Sequence, residues 1–158
     1  MKSQIDQTIK LRDNGEEEQA RQIFIELVRQ NRGNAELNFH CAQTHDGMGL
    51  EEEAVDYYEK AIEIGLPDEL LKDAYVCLGS TYKVIGEYEK SLEVLTNGEE
   101  KFPHYEPLKA FKSLTLHSMG DHSKALETAL VTLLKTTNDK DLQKYSRALH
   151  YYAGSLEE

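Results

Sequence analysis

The sequence is poor in cysteine, proline and tryptophan and contains no long apolar run. Two cysteines, three prolines and no tryptophan occur among 158 residues. A membrane-spanning helix needs roughly 18 or more consecutive apolar residues, and no segment approaches that length. The N-terminal residues turn polar at once and lack the apolar core of a signal peptide. We therefore expect a soluble, cytoplasmic protein with no membrane partner.

Basic residues are also scarce, which bears on nucleic-acid binding. The formal net charge is −11. Residues 1–100 hold 22 Asp and Glu against 10 Lys and Arg, whereas residues 101–158 are nearly balanced. Nucleic-acid binding usually requires a basic stripe that neutralises phosphates, and none is visible. We expect an acidic protein that binds no nucleic acid. Its negative charge is explained by the solubility that a net charge confers.

The two cysteines, Cys41 and Cys77, both fall within apolar helical patterns. Cytosolic thiols normally stay reduced and often behave as small core side chains. The sequence therefore predicts two buried free thiols and no disulfide.

Groups that could perform catalysis or hold a cofactor are sparse. Adjacent residues on a helix point about 100° apart, so His40 and Cys41 do not face each other as a base and a nucleophile. His45 occupies a position that is large and packed in the other repeats, which predicts a core histidine. No metal-ligand spacing links the four remaining histidines: these are His104, His117, His122 and His150. We expect no catalytic residues, no metal site, no cofactor and no enzymatic activity.

Glycines recur along the chain at a nearly constant interval. Gly15, Gly49, Gly86 and Gly120 are separated by 34, 37 and 34 residues, and Gly154 follows after another 34. Glycine just past a helix end adopts the left-handed conformation without steric cost. The spacing predicts four helical hairpins, each turning at a glycine.

Small residues recur in register with these glycines, which makes a chance period implausible. They occur seven positions before each turn glycine and five positions after it, namely Thr8, Ala42, Gly79, Ser113, Ala20, Ala54, Ser91 and Ala125. Paired helices approach most closely where their side chains are small. We expect these eight positions to lie between the two helices of each hairpin.

The third unit carries a recognisable motif. It contains Tyr75-x2-Leu78-Gly79-x2-Tyr82, followed by Gly86, Ser91-x3-Leu95 and Pro103. This pattern resembles the tetratricopeptide repeat, with Tyr in place of the usual first Trp. The resemblance, to a small bacterial-type member, implies an all-α, right-handed α-solenoid of four hairpins plus a C-terminal capping helix. The implied single domain has repeats at about 1–34, 35–69, 70–105 and 106–139, with the capping helix at 140–154.

The last segment has two interpretations. Stacked repeats leave one apolar face open at each end, so a lone terminal helix over residues 140–154 is expected to cover it. Its adjacent tyrosines, Tyr151 and Tyr152, could instead form a contact in a homodimer.

The family resemblance also implies a binding surface on the first helices. Family members line a concave groove with residues ten, six and three positions before the turn glycine. The groove residues carried over by this register are Ile9, Arg12, Phe39, Gln43, Asp46, Val76, Ser80, Lys83, Leu114 and His117. Ile5 and Ala110 occupy equivalent places. Such a mixture suits a peptide or a helix of a partner protein, although some of these residues could be core and the C-terminal helix could fill the groove.

One subtype of the family is disfavoured. Chaperone-binding members hold a peptide carboxylate with Lys, Asn and Arg, and the matching places here carry other residues, namely Ile5, Ile9, His40, Asp73 and Cys77. The leading hypothesis is a protein-interaction scaffold with a protein or peptide partner. The alternatives are a self-associating structural module and a small peptide-sensing regulator.

Overall fold

The computed structural model describes residues 1–157 and consists of ten helices joined by short turns. The helices are α1 (Lys2–Asp13), α2 (Glu17–Gln30), α3 (Ala35–Gly47), α4 (Glu51–Ile64), α5 (Asp68–Val84), α6 (Tyr88–Lys101), α7 (Pro107–Ser118), α8 (His122–Thr136), α9 (Lys140–Lys144) and α10 (Ser146–Ala153). None of these helices has the length and apolarity required to cross a membrane. The prediction of an all-α fold is confirmed for the described residues.

The first eight helices form four consecutive hairpins. Within a hairpin the first helix packs on the second, in the pairs α1 with α2, α3 with α4, α5 with α6 and α7 with α8. Each second helix then packs on the first helix of the next hairpin, so that α2 contacts α3, α4 contacts α5 and α6 contacts α7. Contacts between neighbouring repeats therefore build a helical solenoid, as predicted.

The turn glycines act as the spacing predicts at four of five positions. Gly15, Gly49, Gly86 and Gly120 have positive φ angles of 93°, 75°, 85° and 87°. In each case the next residue donates its N–H to a carbonyl five positions back, as in Glu16 N to Leu11 O at 3.0 Å. This 6→1 bond characterises the Schellman termination of a helix. Gly154 has a φ of −82° and does not form such a turn.

The start of α5 differs from the sequence-based expectation. The repeat boundary at residue 70 predicts that the first helix of the third unit begins there. The helix instead begins at Asp68, and its N-cap is Pro67, which has an extended backbone with ψ of 151°. The Pro67 carbonyl accepts the N–H groups of Leu70 and Leu71 at 2.9 and 2.8 Å, so the helical hydrogen bonds start immediately after the proline.

Large side chains are buried at equivalent positions of the first three second helices. Phe24, Tyr58 and Leu95, each nine residues after a turn glycine, are fully buried. The fourth equivalent is the small Ala129, which is exposed. Burial of a large side chain stabilises by roughly 1.5–3 kcal/mol. The first three hairpins therefore bury a large side chain at a position where the fourth has none.

The C-terminal segment differs from the predicted single helix over residues 140–154. A turn at Tyr145 divides it into α9, which has no buried residue, and α10, which buries only Ala153. α10 packs against α8, yet Leu126 and Leu133 of α8 remain 48% and 43% exposed. The segment therefore covers the end of the solenoid only in part.

Candidate functional site

The first helices of hairpins two and three bring together a cluster of polar side chains. The Tyr58 hydroxyl, projecting from α4, donates to Oδ2 of Asp46 on α3 at 3.2 Å. Cys77 on α5 lies beside the same hydroxyl. Burial raises the pKa of Asp46 above its usual range and raises the pKa of Cys77 to about 11. The cluster therefore holds a carboxyl that ionises less readily than an exposed one, next to a thiol that stays protonated at neutral pH.

His40 on α3 lies between two aromatic rings. Its ring stacks on Phe24 at a centroid distance of 6.1 Å and meets Phe39 edge-on at 5.3 Å. Its Nδ1 is 3.3 Å from Oε1 of Gln43. Burial lowers the pKa of His40, so the imidazole is neutral around pH 7. His40 thus orients Gln43, one of the predicted groove residues.

A second tyrosine–aspartate pair lies at the boundary of hairpins three and four. Tyr105, in the turn before α7, donates its hydroxyl to Asp73 on α5. This hydrogen bond raises the pKa of Tyr105 to about 12. The ammonium group of Lys72 sits 5.0 Å from the Tyr105 ring centroid. The same chemistry, a tyrosine bound to a first-helix aspartate, therefore occurs at two neighbouring positions.

The predicted groove residues fall into three groups. Leu114 and His117 are exposed, and Leu114 retains 52% of its accessible surface. Seven are partly buried and keep an accessible portion, namely Ile9, Arg12, Gln43, Asp46, Val76, Ser80 and Lys83. Phe39 is only 2% exposed and belongs to the core.

The assignment of Phe39 to the groove is therefore wrong. Its ring lies 6.1 Å from that of Tyr58, which fills the space between hairpins. An aromatic side chain at this register position packs against its aromatic neighbours rather than facing solvent. Ile5, at the equivalent position of the first hairpin, is also buried, with 1% exposure.

The sequence does not reveal that two tyrosines are hydrogen-bonded to first-helix aspartates. Tyr58 and Tyr105 lie outside the first helices, so a search restricted to first-helix positions omits them. No periodic signal marks these pairs, because Asp46 lies three positions before its turn glycine and Asp73 lies thirteen before its own.

A buried thiol and an imidazole also approach each other on α3. Cys41 Sγ lies 3.7 Å from Nδ1 of His45, and that nitrogen is 2.8 Å from the Cys41 carbonyl oxygen. Because the carbonyl can only accept, Nδ1 carries the proton and cannot act as a base toward the thiol. Burial raises the pKa of Cys41 to about 12. The pair is a packing contact, and His45 is a core residue, as predicted.

The thiols are in the state that the sequence predicts, with one difference in burial. Cys41 and Cys77 are both free, but Cys77 is only partly buried. Within residues 1–157, no three His, Cys, Asp or Glu side chains are grouped so that they could hold a metal ion. The surface is therefore a set of hydrogen-bonding and apolar groups without a cluster of three ligands.

These features agree with the match to a family model. The family described as "Tetratrico peptide repeat" matches residues 35–156, which span the last three hairpins and α9–α10. The chain belongs to the tetratrico peptide repeat family. The family fold places this protein among helical-repeat scaffolds for protein–protein interaction.

Solved structures show the same fold. A crystal structure of MamA covers 97% of this chain and 85% of its own, with 20% identity and a TM-score of 0.74. A second MamA crystal structure has 21% identity and a TM-score of 0.72, covering 93% and 88% of the two chains. TTC0263, a thermophilic TPR protein of Thermus thermophilus, has 22% identity and a TM-score of 0.61, covering 99% and 84%. No curated protein matches the chain.

Proposed function

We propose that the surface of the first helices binds a peptide or helical segment of a partner protein. The observation that carries this proposal is the polar cluster around Asp46, in which Tyr58 is hydrogen-bonded to Asp46 and Gln43 to His40, all within the second hairpin. Fixed hydrogen-bonding groups beside apolar side chains give a bound segment its register, while apolar burial gives affinity.

The accessible apolar part of the surface lies toward the C-terminal end. Leu114 is half exposed on α7, and the partly buried Val76 and Ile9 add smaller patches on α5 and α1. The arrangement supports a ligand that runs across several first helices rather than one held in a single pocket. α10 packs on α8, a second helix, which supports a first-helix surface that the C-terminal segment leaves open.

A binding comparison between two faces of the molecule tests the proposal. Peptides would be selected from a displayed random library on the purified chain and measured by calorimetry. The groove variant is Gln43→Ala/Leu114→Ala, whose parent side chains are partly or largely accessible. The control variant, Glu52→Ala/Glu63→Ala, changes exposed residues on α4. We expect at least tenfold weaker binding to the groove variant and unchanged binding to the control. Equal affinity for all three chains would refute the groove.

Self-association is the second function that an observation favours. Tyr145, Tyr151 and Tyr152 are 60–67% exposed on α9–α10, and they share a shallow depression with Lys144 and Arg147. Aromatic side chains beside cations suit an acidic surface of a second copy, and residues 1–100 are strongly acidic. Light scattering after size exclusion tests this: a dimer should become a monomer in Tyr151→Ser/Tyr152→Ser, and a concentration-independent parent monomer would rule it out.

The two free thiols fit a reducing compartment, which supports a cytoplasmic location. Residues 1–157 carry no arrangement that we would assign to catalysis, and the polar cluster suits recognition. A role as a peptide-sensing regulator would use the same surface and the same test.

A further inference from the structure

Two histidines meet across the turn of the fourth hairpin. His117 lies in the last turn of α7 and His122 is the first residue of α8. Their Nδ1 atoms are 2.9 Å apart and their ring centroids 4.6 Å apart. Both side chains are exposed.

The histidine pair has no equivalent in the other hairpins. The positions matching His117 carry Arg12, Asp46 and Lys83, and those matching His122 carry Glu17, Glu51 and Tyr88. The fold therefore does not require imidazoles at this turn. Neither ring belongs to a buried cluster, so the pair contributes little to packing.

We propose that His117 and His122 bind one divalent late transition-metal ion, Cu²⁺, Ni²⁺ or Zn²⁺, through their two Nδ1 atoms. Imidazole is a preferred ligand for these ions. With metal–nitrogen distances of roughly 2.0–2.1 Å, two nitrogens at a right angle are about 2.9 Å apart. The observed separation of 2.9 Å fits that angle, which is the one adopted in square-planar Cu²⁺ and Ni²⁺ sites.

Metal binding releases no proton when both rings are neutral. In the observed contact one Nδ1–H donates to the other Nδ1, so one ring carries its proton on Nδ1 and the other on Nε2. Metal binding needs both Nδ1 lone pairs, so the donor ring moves its proton to Nε2. Both Nε2–H groups are then free to donate to solvent.

The pair supplies two ligands and leaves the other coordination positions open. The neighbouring carboxylate of Asp121 accepts the backbone N–H of Lys124 at its Oδ1 atom, at 3.2 Å, as a helix cap. Water completes the coordination sphere, because both rings face solvent. An exposed two-histidine site of this kind binds a metal reversibly rather than as a structural ion.

Metal titration of a tag-free, EDTA-stripped chain tests the site. CuCl₂, NiCl₂ and ZnCl₂ would each be added and followed by calorimetry, with thermal unfolding by circular dichroism as the check of folding. We expect one ion per chain, and at least tenfold weaker binding in His117→Ala and in His122→Ala. The matched controls, His104→Ala and His150→Ala, remove other exposed histidines and should bind as the parent does.

Nitrogen NMR separates this site from metal bound elsewhere. In long-range ¹H–¹⁵N spectra with Zn²⁺, the Nδ1 resonances of His117 and His122 should shift together while those of His104 and His150 stay in place. Absence of stoichiometric binding, or equal binding by His117→Ala/His122→Ala, would overturn the proposal. So would coordination through Nε2.

Discussion

Gly79 packs directly against Leu95 where the two helices of the third hairpin cross. A Cβ built on Gly79 would lie 2.5 Å from Cγ of Leu95, well inside van der Waals contact. Leu95 is fully buried, so its side chain has no open space to move into. Ser91 adds a hydrogen bond between the same two helices, since its hydroxyl donates to the Gly79 carbonyl at 2.6 Å.

Replacing Gly79 with leucine should therefore destabilise the protein. We expect a loss of about 1–3 kcal/mol in the free energy of unfolding, as overpacking a core costs, measured by urea denaturation. The matched control is Gly47→Leu, since Gly47 is also helical but a Cβ added there would meet no heavy atom within 4 Å. That variant should be neutral or slightly stabilised, because glycine is a poor helix former.

The coupling between the two residues gives a second readout. Adding Leu95→Ala to Gly79→Leu makes room for the new side chain, so the combined loss should be smaller than the sum of the single losses. If the losses in the free energy of unfolding are additive, the side chains at positions 79 and 95 do not occupy the same volume.

Much of the fold can be predicted from the sequence because the same helix–helix contact recurs in each repeat and leaves a periodic pattern of residues. The turn glycines and the small residues, such as Ala42 and Ala54 with 0% exposure, are visible as a period. Two features are not periodic and were not predicted. Pro67 moves the start of α5 to Asp68, and the break at Tyr145 arises in a segment with almost no buried surface.

The pH dependence of stability should carry a contribution from His40. Burial lowers its pKa in the folded state, below the ordinary value of about 6.5. The unfolded chain then binds more protons below that pH, so the contribution of His40 is fully present above about pH 6.5 and is lost as the pH falls through the lowered pKa. Urea midpoints between pH 5 and 8 should fall more steeply for the parent than for His40→Gln. Parallel curves would contradict this assignment.

The candidate site could be predicted only in outline. Register alone places Phe39 and Gln43 on the same surface, but it does not reveal that the Phe39 ring turns into the core, because that depends on Tyr58 of the neighbouring helix. The pair of His117 and His122 was missed for a related reason. A spacing of five residues is no metal-ligand pattern on one helix, and only the reversal at Gly120 brings the rings together.

Removing the charge of Asp46 should stabilise the chain at neutral pH. Burial raises the folded-state pKa of Asp46, so the folded protein binds more protons than the unfolded one and the ionised carboxylate lowers stability as the pH rises through that pKa. Asp46→Asn keeps an acceptor for the Tyr58 hydroxyl. We expect a gain below about 1 kcal/mol at pH 7.5, since solvent screens the partly exposed group.

The gain from Asp46→Asn should shrink as the pH falls, because the parent carboxyl takes up a proton, so it should be smaller at pH 4 than at pH 7.5. Urea denaturation at both pH values measures the difference. Asp6→Asn, which changes an exposed carboxylate on α1, serves as the control and should show little change. A loss of stability in Asp46→Asn at pH 7.5 would mean that the charge itself is stabilising.

The two thiols should differ in reactivity while both remain slow. The thiolate is the nucleophile, and the pKa of Cys77 is raised to about 11 from 9.0, which lowers its thiolate fraction at pH 8 about a hundredfold. Cys41 has 0% exposure and a pKa of about 12, so it should react only after local unfolding. In Cys41→Ser and Cys77→Ser chains treated with Ellman's reagent, Cys77 should react faster than Cys41, and both more slowly than glutathione. Because Cys77 adjoins the polar cluster, a peptide bound to the first-helix surface should slow the labelling of Cys77 further and leave the labelling of Cys41 unchanged. If Cys41 is labelled faster than Cys77 in native buffer, the burial of Cys41 on α3 is contradicted.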